Sequence, residues 1–154
     1  MPPLKLETPE SLETYIGREI ALTDWMTINQ ERIAQFAAAT DDHQWLHVDE
    51  VRAARESPFG GTIAHGFLTL SLLSKFMRDS LEIRGGARWL INYGLNRVRF
   101  ISPVRAGSKI RARIALQSFQ RLADAFEGTF LITVELEGSE KPCCVAEWIY
   151  RFYP

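Results

Sequence analysis

Cysteine is scarce in this sequence, and long apolar runs are missing. The only two cysteines, Cys143 and Cys144, are adjacent, so a disulfide between them would be strained, and no further Cys or His lies nearby to complete a metal site. The longest apolar stretch, residues 67–76, is interrupted by hydroxyl side chains and a lysine, and the N-terminal MPPLKLETPE lacks the apolar core of a signal peptide. We therefore expect a soluble cytoplasmic protein with no membrane association.

The chain also lacks an excess of positive or negative charge. Eighteen Lys+Arg oppose nineteen Asp+Glu, which leaves a net charge of −1 at pH 7. This balance creates no field that would attract nucleic acid, so no nucleic-acid partner is expected. No repeat, low-complexity segment or linker interrupts the 154 residues, of which 46% are hydrophobic. The sequence therefore predicts a single globular domain over residues 1–154.

The first half of the chain has helical periodicity. The segment TINQERIAQFAAAT predicts an amphipathic helix with Asn29 or Thr27 as its N-cap, and DEVRAARE predicts a short second helix. A third segment, TIAHGFLTLSLLSKFMRDSLE, carries apolar side chains around most of its circumference. It is predicted to form a central helix that is buried on nearly all sides.

After residue 86 the pattern changes to that of strands. Four segments with alternating, β-branched or aromatic residues follow one another, separated by turn residues, and IGREIALTDWMTI near the start is a fifth candidate. The four are RWLINYGLNRVRFI, SKIRARIALQSFQRL, AFEGTFLITVELEG and PCCVAEWIYRFY. Long strands with short gaps indicate an antiparallel sheet, and the apolar helix must cover it. The predicted class is α+β, an antiparallel sheet wrapped around a long central helix.

A polar cluster, DDHQWLH, occupies residues 41–47 and holds two of the three histidines in the chain. If this loop turns back on itself, Asp42 and His47 can face one pocket and share a water as a general acid/base pair. A solvated acidic loop after a helix fits the same spacing. Trp45 and Leu46, set between the polar residues, favour a half-buried segment.

A second cluster, FGGTIAHGF, places His65 and Gly66 at the start of the predicted central helix. Backbone N–H groups there lack intrahelical partners, so a helix start that points into a pocket can stabilise an oxyanion. Glycine would let a substrate carbonyl approach the backbone closely. The alternative is structural: Gly66 permits tight helix packing and His65 is a hydrogen-bonded core residue.

Three segments together resemble the MaoC-like (R)-specific enoyl-CoA hydratases, in matching order and spacing over roughly residues 20–150. ATDDHQWLHVD is similar to the hydratase motif, GGTIAHGFLTLSLLS to the start of the family's helix, and YGLNRVRFISPVRAGSKIRARI to its strand pair. The resemblance implies a hot-dog fold, a homodimer and an acyl pocket near the subunit boundary. It also implies an acyl-CoA substrate, with no metal and no cofactor apart from the coenzyme A of the substrate.

Carried over by position, the resemblance implies that Asp42 and His47 are the catalytic pair and that the Gly66 N–H donates to the thioester oxygen. Gln44 stands where the family usually has Asn, so its amide is expected to orient the water or a catalytic side chain from one methylene further out. Ser74 matches a helix serine that supports the site in relatives. Trp45 replaces the usual Pro. Gln44 and Trp45 are therefore expected to alter the shape of the pocket and its preference for acyl chain length, but not the catalytic pair.

The implied reaction interconverts a trans-2-enoyl-CoA and an (R)-3-hydroxyacyl-CoA, with water added at C3 and a proton at C2. Three alternatives stay open: a hot-dog thioesterase that directs water to C1, an acyl-carrier-protein dehydratase, and a non-catalytic acyl-thioester binding protein. A basic stretch could meet the phosphates of coenzyme A or form a solvated strand face. Its residues are Arg97, Arg99, Arg105 and Lys109. Loop charges such as Asp41 and His43 are interpreted as bystanders.

Overall fold

A computed structural model describes residues 1–154, and eight strands form two sheets. The strands are β1 (Leu4–Leu6), β2 (Arg18–Leu22), β3 (Met26–Thr27), β4 (Leu81–Ile83), β5 (Trp89–Phe100), β6 (Lys109–Arg121), β7 (Phe126–Leu136) and β8 (Cys144–Tyr153). Six of them build one antiparallel sheet in the order β2-β6-β7-β8-β5, with β3 also paired to β6. β5 therefore lies at one edge of this sheet.

Five α-helices accompany the sheets, and side-chain caps, of which the one at Asn29 was predicted, stabilise the start of the first and third helices. The helices are α1 (Gln30–Thr40), α2 (Trp45–Val48), α3 (Glu50–Glu56), α4 (Gly66–Ser71) and α5 (Leu73–Ser80). The Asn29 side chain accepts a hydrogen bond from the Arg32 N–H at 2.9 Å, and Asp49 accepts one from the Arg52 N–H at 2.9 Å. Both caps satisfy donors that the first helical turn leaves free.

Helices α4 and α5 form the predicted central helix with a junction at Leu72. Leu72 keeps right-handed helical dihedrals, its N–H donates to the Leu68 carbonyl, and its own carbonyl accepts from Phe76. The prediction that this helix is buried on nearly all sides was wrong, because Phe67 is 68% exposed and Ser71 is exposed too. The sheet covers one flank of the helix, and the opposite flank faces a cavity beside β5.

Alternation along β6, β7 and β8 builds the core. Every second residue of β8, of β7 up to Val134 and of β6 up to Leu116 is buried in the core, and the residues between them are more exposed. The largest fully buried side chains of the three strands are Ile110, Ile114, Leu116, Phe130, Ile132, Val134 and Phe152. The class is thus α+β in the hot-dog arrangement, as predicted.

Two parts of the N-terminal region differ from the prediction. The segment IGREIALTDWMTI forms two short strands, β2 and β3, rather than one, since the chain leaves the sheet between Leu22 and Met26. A two-stranded parallel pair of β1 with β4, and a 3-10 helix over Pro9–Tyr15, were not predicted. Strands of three residues are too short to show an alternation in sequence.

The two cysteines are buried in or beside β8, as small apolar residues would be. Burial raises the pKa of the Cys143 thiol to about 12 and that of Cys144 to about 11. Both side chains are therefore protonated thiols at neutral pH, which excludes them as ready nucleophiles. No helix of the structure has both the length and the apolar character needed to cross a bilayer.

Candidate active site

The loop DDHQWLH turns back on itself at Asp41. This residue follows the end of α1 with φ at 56° and ψ at 21°, the left-handed conformation that asparagine and aspartate tolerate better than most side chains. The reversal lets the chain enter the short helix α2, which carries His47. The sequence left open whether this loop is half-buried, and the buried His47 shows that it is.

His47 is held with one ring nitrogen engaged and the other free. Its Nδ1 lies 2.7 Å from the Ile63 carbonyl oxygen, and because a carbonyl only accepts, Nδ1 must carry the proton. Nε2 of the neutral ring is then an acceptor. Among buried side-chain nitrogen and oxygen atoms, only His65 Nδ1 lacks a partner, so the unbonded Nε2 of His47 reaches solvent. This tautomer presents a base to an incoming water.

Asp42 lies beside this base. Its side chain is 52% exposed, and its Oδ1 is 3.5 Å from the Gln44 N–H. A carboxylate oxygen of Asp42 and one ring nitrogen from each of His47 and His65 all lie within 4.8 Å of one another. A single water can hydrogen-bond to two groups at that separation. The structure thus brings the predicted pair together, at a separation that one water could bridge.

His65 is the third member of this group, which the sequence did not single out as part of it. The His65 and His47 rings stack with centroids 3.8 Å apart and planes inclined by 26°. His65 Nε2 lies 3.0 Å from the main-chain carbonyl oxygen of Asp42 and 4.0 Å from its carboxylate. His65 therefore touches both predicted catalytic residues.

A glutamine that the sequence analysis missed ties the site to the rest of the fold. Gln30, the first residue of α1, donates from Nε2 to the His47 carbonyl at 2.7 Å, and its Oε1 accepts a hydrogen bond from the Thr62 hydroxyl. Gln30 therefore links α2 to the loop that precedes α4. The sequence predicts that Gln30 lies in the first turn of this helix, but it does not predict the hydrogen bonds of Gln30 to His47 and Thr62.

Gly66 is the first residue of α4, as predicted, and its N–H has no intrahelical partner. A Cβ at this position would lie 2.9 Å from Cδ2 of Phe100 and 3.0 Å from Cγ, so the ring leaves no room for a side chain. Gly66 and Phe100 both line a cavity of about 270 Å³. The helix start is thus packed tightly against β5 and borders an open space.

Ser74 lies two helical turns after Gly66 on the open flank of the central helix. It lines a cavity of about 330 Å³ between the helix and the strands β5 and β8, and its hydroxyl accepts a hydrogen bond from Asn92 Nδ2 at 3.3 Å. The other residues of this cavity are mostly apolar: Phe67, Leu70, Ser71, Leu73, Leu95 and Trp148. Such a lining suits a hydrocarbon chain.

Gln44 and Trp45, the two departures from the family motif, sit at the start of α2. Gln44 is exposed, and its side-chain amide makes no hydrogen bond within the chain. The Trp45 ring lies under the Arg52 guanidinium, 4.3 Å from its carbon to the ring centroid. Gln44 is free to bond a water or ligand, whereas Trp45 packs against α3.

The basic stretch does not form one patch of free cations. Arg105 donates to the Gly60 carbonyl at 2.9 Å, and Lys109 pairs with Glu137 at 3.5 Å. Arg97 and Arg99 are exposed on β5. His43, interpreted as a bystander, is exposed and bonds to nothing in the chain. None of these residues reaches the Asp42 and His47 pair through a hydrogen bond or salt bridge.

The group of Asp42, His47 and His65 has ligand types that metals use, but its geometry suits water better. The lone pairs of an imidazole lie in the ring plane, and the two rings are stacked nearly parallel, so their nitrogens do not converge on one point. His47 Nδ1 and His65 Nε2 already face carbonyl oxygens. The stacking of the two rings is therefore unfavourable for binding one metal ion between them.

The profile of the family described as MaoC like domain matches residues 11–135. The chain belongs to this family. It is 47% identical to 3-hydroxyacyl-thioester dehydratase Z of Mycobacterium tuberculosis, over 95% of this chain and 96% of that protein. It is 49% identical to nodulation protein N of Rhizobium leguminosarum bv. viciae, over 87% and 84% of the two chains. The R-hydratase PhaJ1 from Pseudomonas aeruginosa superposes with a TM-score of 0.71 at 24% identity, covering 90% and 81%, which shows that this MaoC-like chain shares its fold.

Proposed function

We propose that this MaoC-like protein is an (R)-specific hydratase/dehydratase that interconverts trans-2-enoyl-CoA and (R)-3-hydroxyacyl-CoA. The observation that carries the proposal is the His47 ring, which has an unbonded Nε2 and a nitrogen within 4.8 Å of an Asp42 carboxylate oxygen, next to a histidine that immediately precedes the Gly66 helix start. The name of the Mycobacterium tuberculosis relative, a 3-hydroxyacyl-thioester dehydratase, supports a hydro-lyase acting on a thioester. The cytoplasmic location predicted from the sequence belongs to this proposal.

In the proposed mechanism, Asp42 and His47 hold one water. As its oxygen bonds to C3 of the enoyl thioester, His47 Nε2 takes a proton from the water, and negative charge moves to the thioester oxygen. The Gly66 N–H donates to that oxygen, where a positioned donor is most effective because the charge develops during the step. A proton then passes from the acid/base pair to C2, so the pair is unchanged after one turnover.

The acyl chain is proposed to lie along the open flank of the central helix. The cavity that begins at Phe67, the residue after Gly66, is apolar apart from two serines and Asn92. Ser74 and Asn92 hydrogen-bond to each other, which pairs part of the polar surface that a hydrocarbon chain would pass. Gln44 is proposed to orient the water from the other side, because its side-chain amide is exposed and unbonded.

A panel of trans-2-enoyl-CoA substrates from crotonyl to long-chain acyl groups tests the proposal. We expect loss of enoyl absorbance and formation of the (R)-3-hydroxyacyl product, without release of free coenzyme A. Free thiol in place of hydrated product would identify a thioesterase instead. The same acyl groups on acyl carrier protein form the comparison arm, and a strong preference for them would identify a carrier-protein dehydratase. Binding without any turnover would indicate an acyl-thioester binding protein.

Activity is expected to be insensitive to metal removal. The stacked rings of His47 and His65 do not converge on a metal position, and no step of the proposed mechanism uses one. Dialysis against EDTA should therefore leave kcat and KM unchanged, and elemental analysis of the purified protein should find no stoichiometric metal. A loss of activity that is restored by one divalent metal ion would contradict this prediction.

We also propose that the protein is a homodimer formed through β5. This strand pairs only with β8, so its other edge is free over 12 residues, and exposed apolar side chains line it. They are Trp89, Leu90, Ile91, Tyr93, Leu95 and Phe100. A long free edge with this many exposed apolar groups is a liability for a monomer, and a second copy can cover it in antiparallel pairing.

Ile91→Glu tests the dimer. In a twofold-symmetric dimer the substitution occurs in both copies, so two carboxylates enter the interface. The dissociation constant of the dimer should therefore increase by about 100-fold or more. Sedimentation equilibrium measures the change, starting from a wild-type mass of twice 17.6 kDa. Val51→Glu is the matched control, because Val51 is 71% exposed on α3, away from β5. A monomeric wild type would contradict the proposal.

A further inference from the structure

His65 is a buried histidine that the proposed mechanism does not use. Its side chain is only 3% exposed, and its Nδ1 is the one buried side-chain nitrogen or oxygen atom in the chain without a hydrogen-bond partner. Burying an unpaired polar atom costs free energy, and a phenylalanine or leucine would fill the same space without that cost. The position of the ring in the site therefore calls for an explanation other than packing.

The contacts of His65 supply one. Its Nε2–H donates to the main-chain carbonyl of Asp42 at 3.0 Å, across 23 residues of sequence. One face of its ring lies on His47, with centroids 3.8 Å apart, and Phe36 of α1 lies tilted against it at 4.9 Å. The two titratable groups that face the ring are the Asp42 carboxylate and His47. The same side chain thus contacts the backbone of one catalytic residue and the ring of the other.

We propose that His65 is a positioning residue for the proposed hydration: its Nε2–H fixes the Asp42 segment, and its ring holds the His47 imidazole in the plane that presents Nε2 to water. Asp42 needs such support because it belongs to an exposed loop, and its carboxylate accepts only one long hydrogen bond from the chain, at 3.5 Å. The hydrogen bond to the Ile63 carbonyl fixes His47 at Nδ1, but the imidazole could still rotate about this hydrogen bond. The stacked His65 ring limits that rotation. Since His65 adjoins Gly66, it also couples the pair to the helix start.

Two substitutions separate the two contacts. His65→Gln keeps an N–H donor for the Asp42 carbonyl but removes the stacked ring, whereas His65→Phe keeps a ring against His47 but removes the donor. Each is expected to lower kcat about 10- to 100-fold through misplacement of the pair, with a smaller change in KM. The pH profile of kcat/KM should shift in both variants, which a purely structural role would not cause. His43→Gln, in the Asp42 segment that His65 contacts but without side-chain hydrogen bonds of its own, is the matched control.

The tautomers provide a readout that does not depend on activity or on the stability of a variant. In wild-type protein with isotope-labelled histidines, long-range proton–nitrogen correlation spectra should show His65 as the Nε2–H tautomer and His47 as the Nδ1–H tautomer. A proton on His65 Nδ1 instead would overturn the inference. So would unchanged kcat and pH profiles in both variants. The inference rests on the proposed function, but the two fail separately: a wild type that hydrates no thioester refutes the function, and the spectra still decide the placement of His65.

Discussion

Replacing Asp42 by Asn, or His47 by Gln, should lower kcat for enoyl-CoA hydration by about 10²- to 10⁴-fold, the usual contribution of a general acid or base. Asn keeps the shape of Asp42 but cannot exchange a proton, and Gln removes the Nε2 base of His47 while retaining a polar side chain. Because His47→Gln removes only one side-chain hydrogen bond, from Nδ1 to the Ile63 carbonyl, the fold should stay intact. Initial rates of enoyl absorbance loss, with thermal unfolding as a check, measure the effect.

Asp41→Asn and His43→Gln are the matched controls, since each makes the same chemical change one and four residues, respectively, from the target. Asp41 has a left-handed backbone that asparagine also adopts, and His43 is exposed, so both variants should keep near wild-type rates. The double variant of Asp42 and His47 should lose about as much as either single one, because both act on one water. Full activity in Asp42→Asn and His47→Gln would refute the assignment of the pair.

Spacing left a solvated loop open as an alternative, and the family resemblance singled out Asp42 and His47 as the predicted catalytic pair, whereas a local rule predicted the Asn29 cap. Asn29 and Asp49 bond to N–H groups three residues along the chain, so short-range chemistry determines them. The supporting contacts of the site are of another kind. Gln30 reaches His47 across 17 residues and His65 reaches Asp42 across 23, distances over which a pattern in one sequence carries no signal.

The exposed flank of the central helix could not be predicted for a related reason. Apolar residues around its circumference indicate that every side meets something apolar, but they do not say what. In the single chain, Leu68 and Phe76 meet the core, whereas Phe67 stays exposed beside the free edge of β5. If the proposed dimer forms there, the second copy covers this flank. The apolar pattern then predicts burial in the dimer, which a single chain does not show.

Gly66→Ala is expected to lower kcat by about 100-fold, the second large effect. The new Cβ would lie 2.9 to 3.1 Å from three atoms of the Phe100 ring, so the helix start or the ring must shift. A displaced N–H no longer meets the thioester oxygen where charge develops, so kcat should fall more than binding. Gly61→Ala is the control, because its Cβ would meet only the flexible end of Arg105, at 3.4 Å.

The double variant Gly66→Ala/Phe100→Ala tests whether the position of the Gly66 N–H is what matters. Alanine at residue 100 removes all three ring atoms that would block the new methyl group, so the helix start can return to its place with its N–H still present. If that N–H is the oxyanion donor, the double variant should recover most of the lost kcat, while Phe100→Ala alone stays close to wild type. If the double variant recovers thermal stability but not kcat, the position of the Gly66 N–H is not what the catalytic step requires from this glycine. Wild-type kcat in Gly66→Ala itself would remove the helix start from the mechanism.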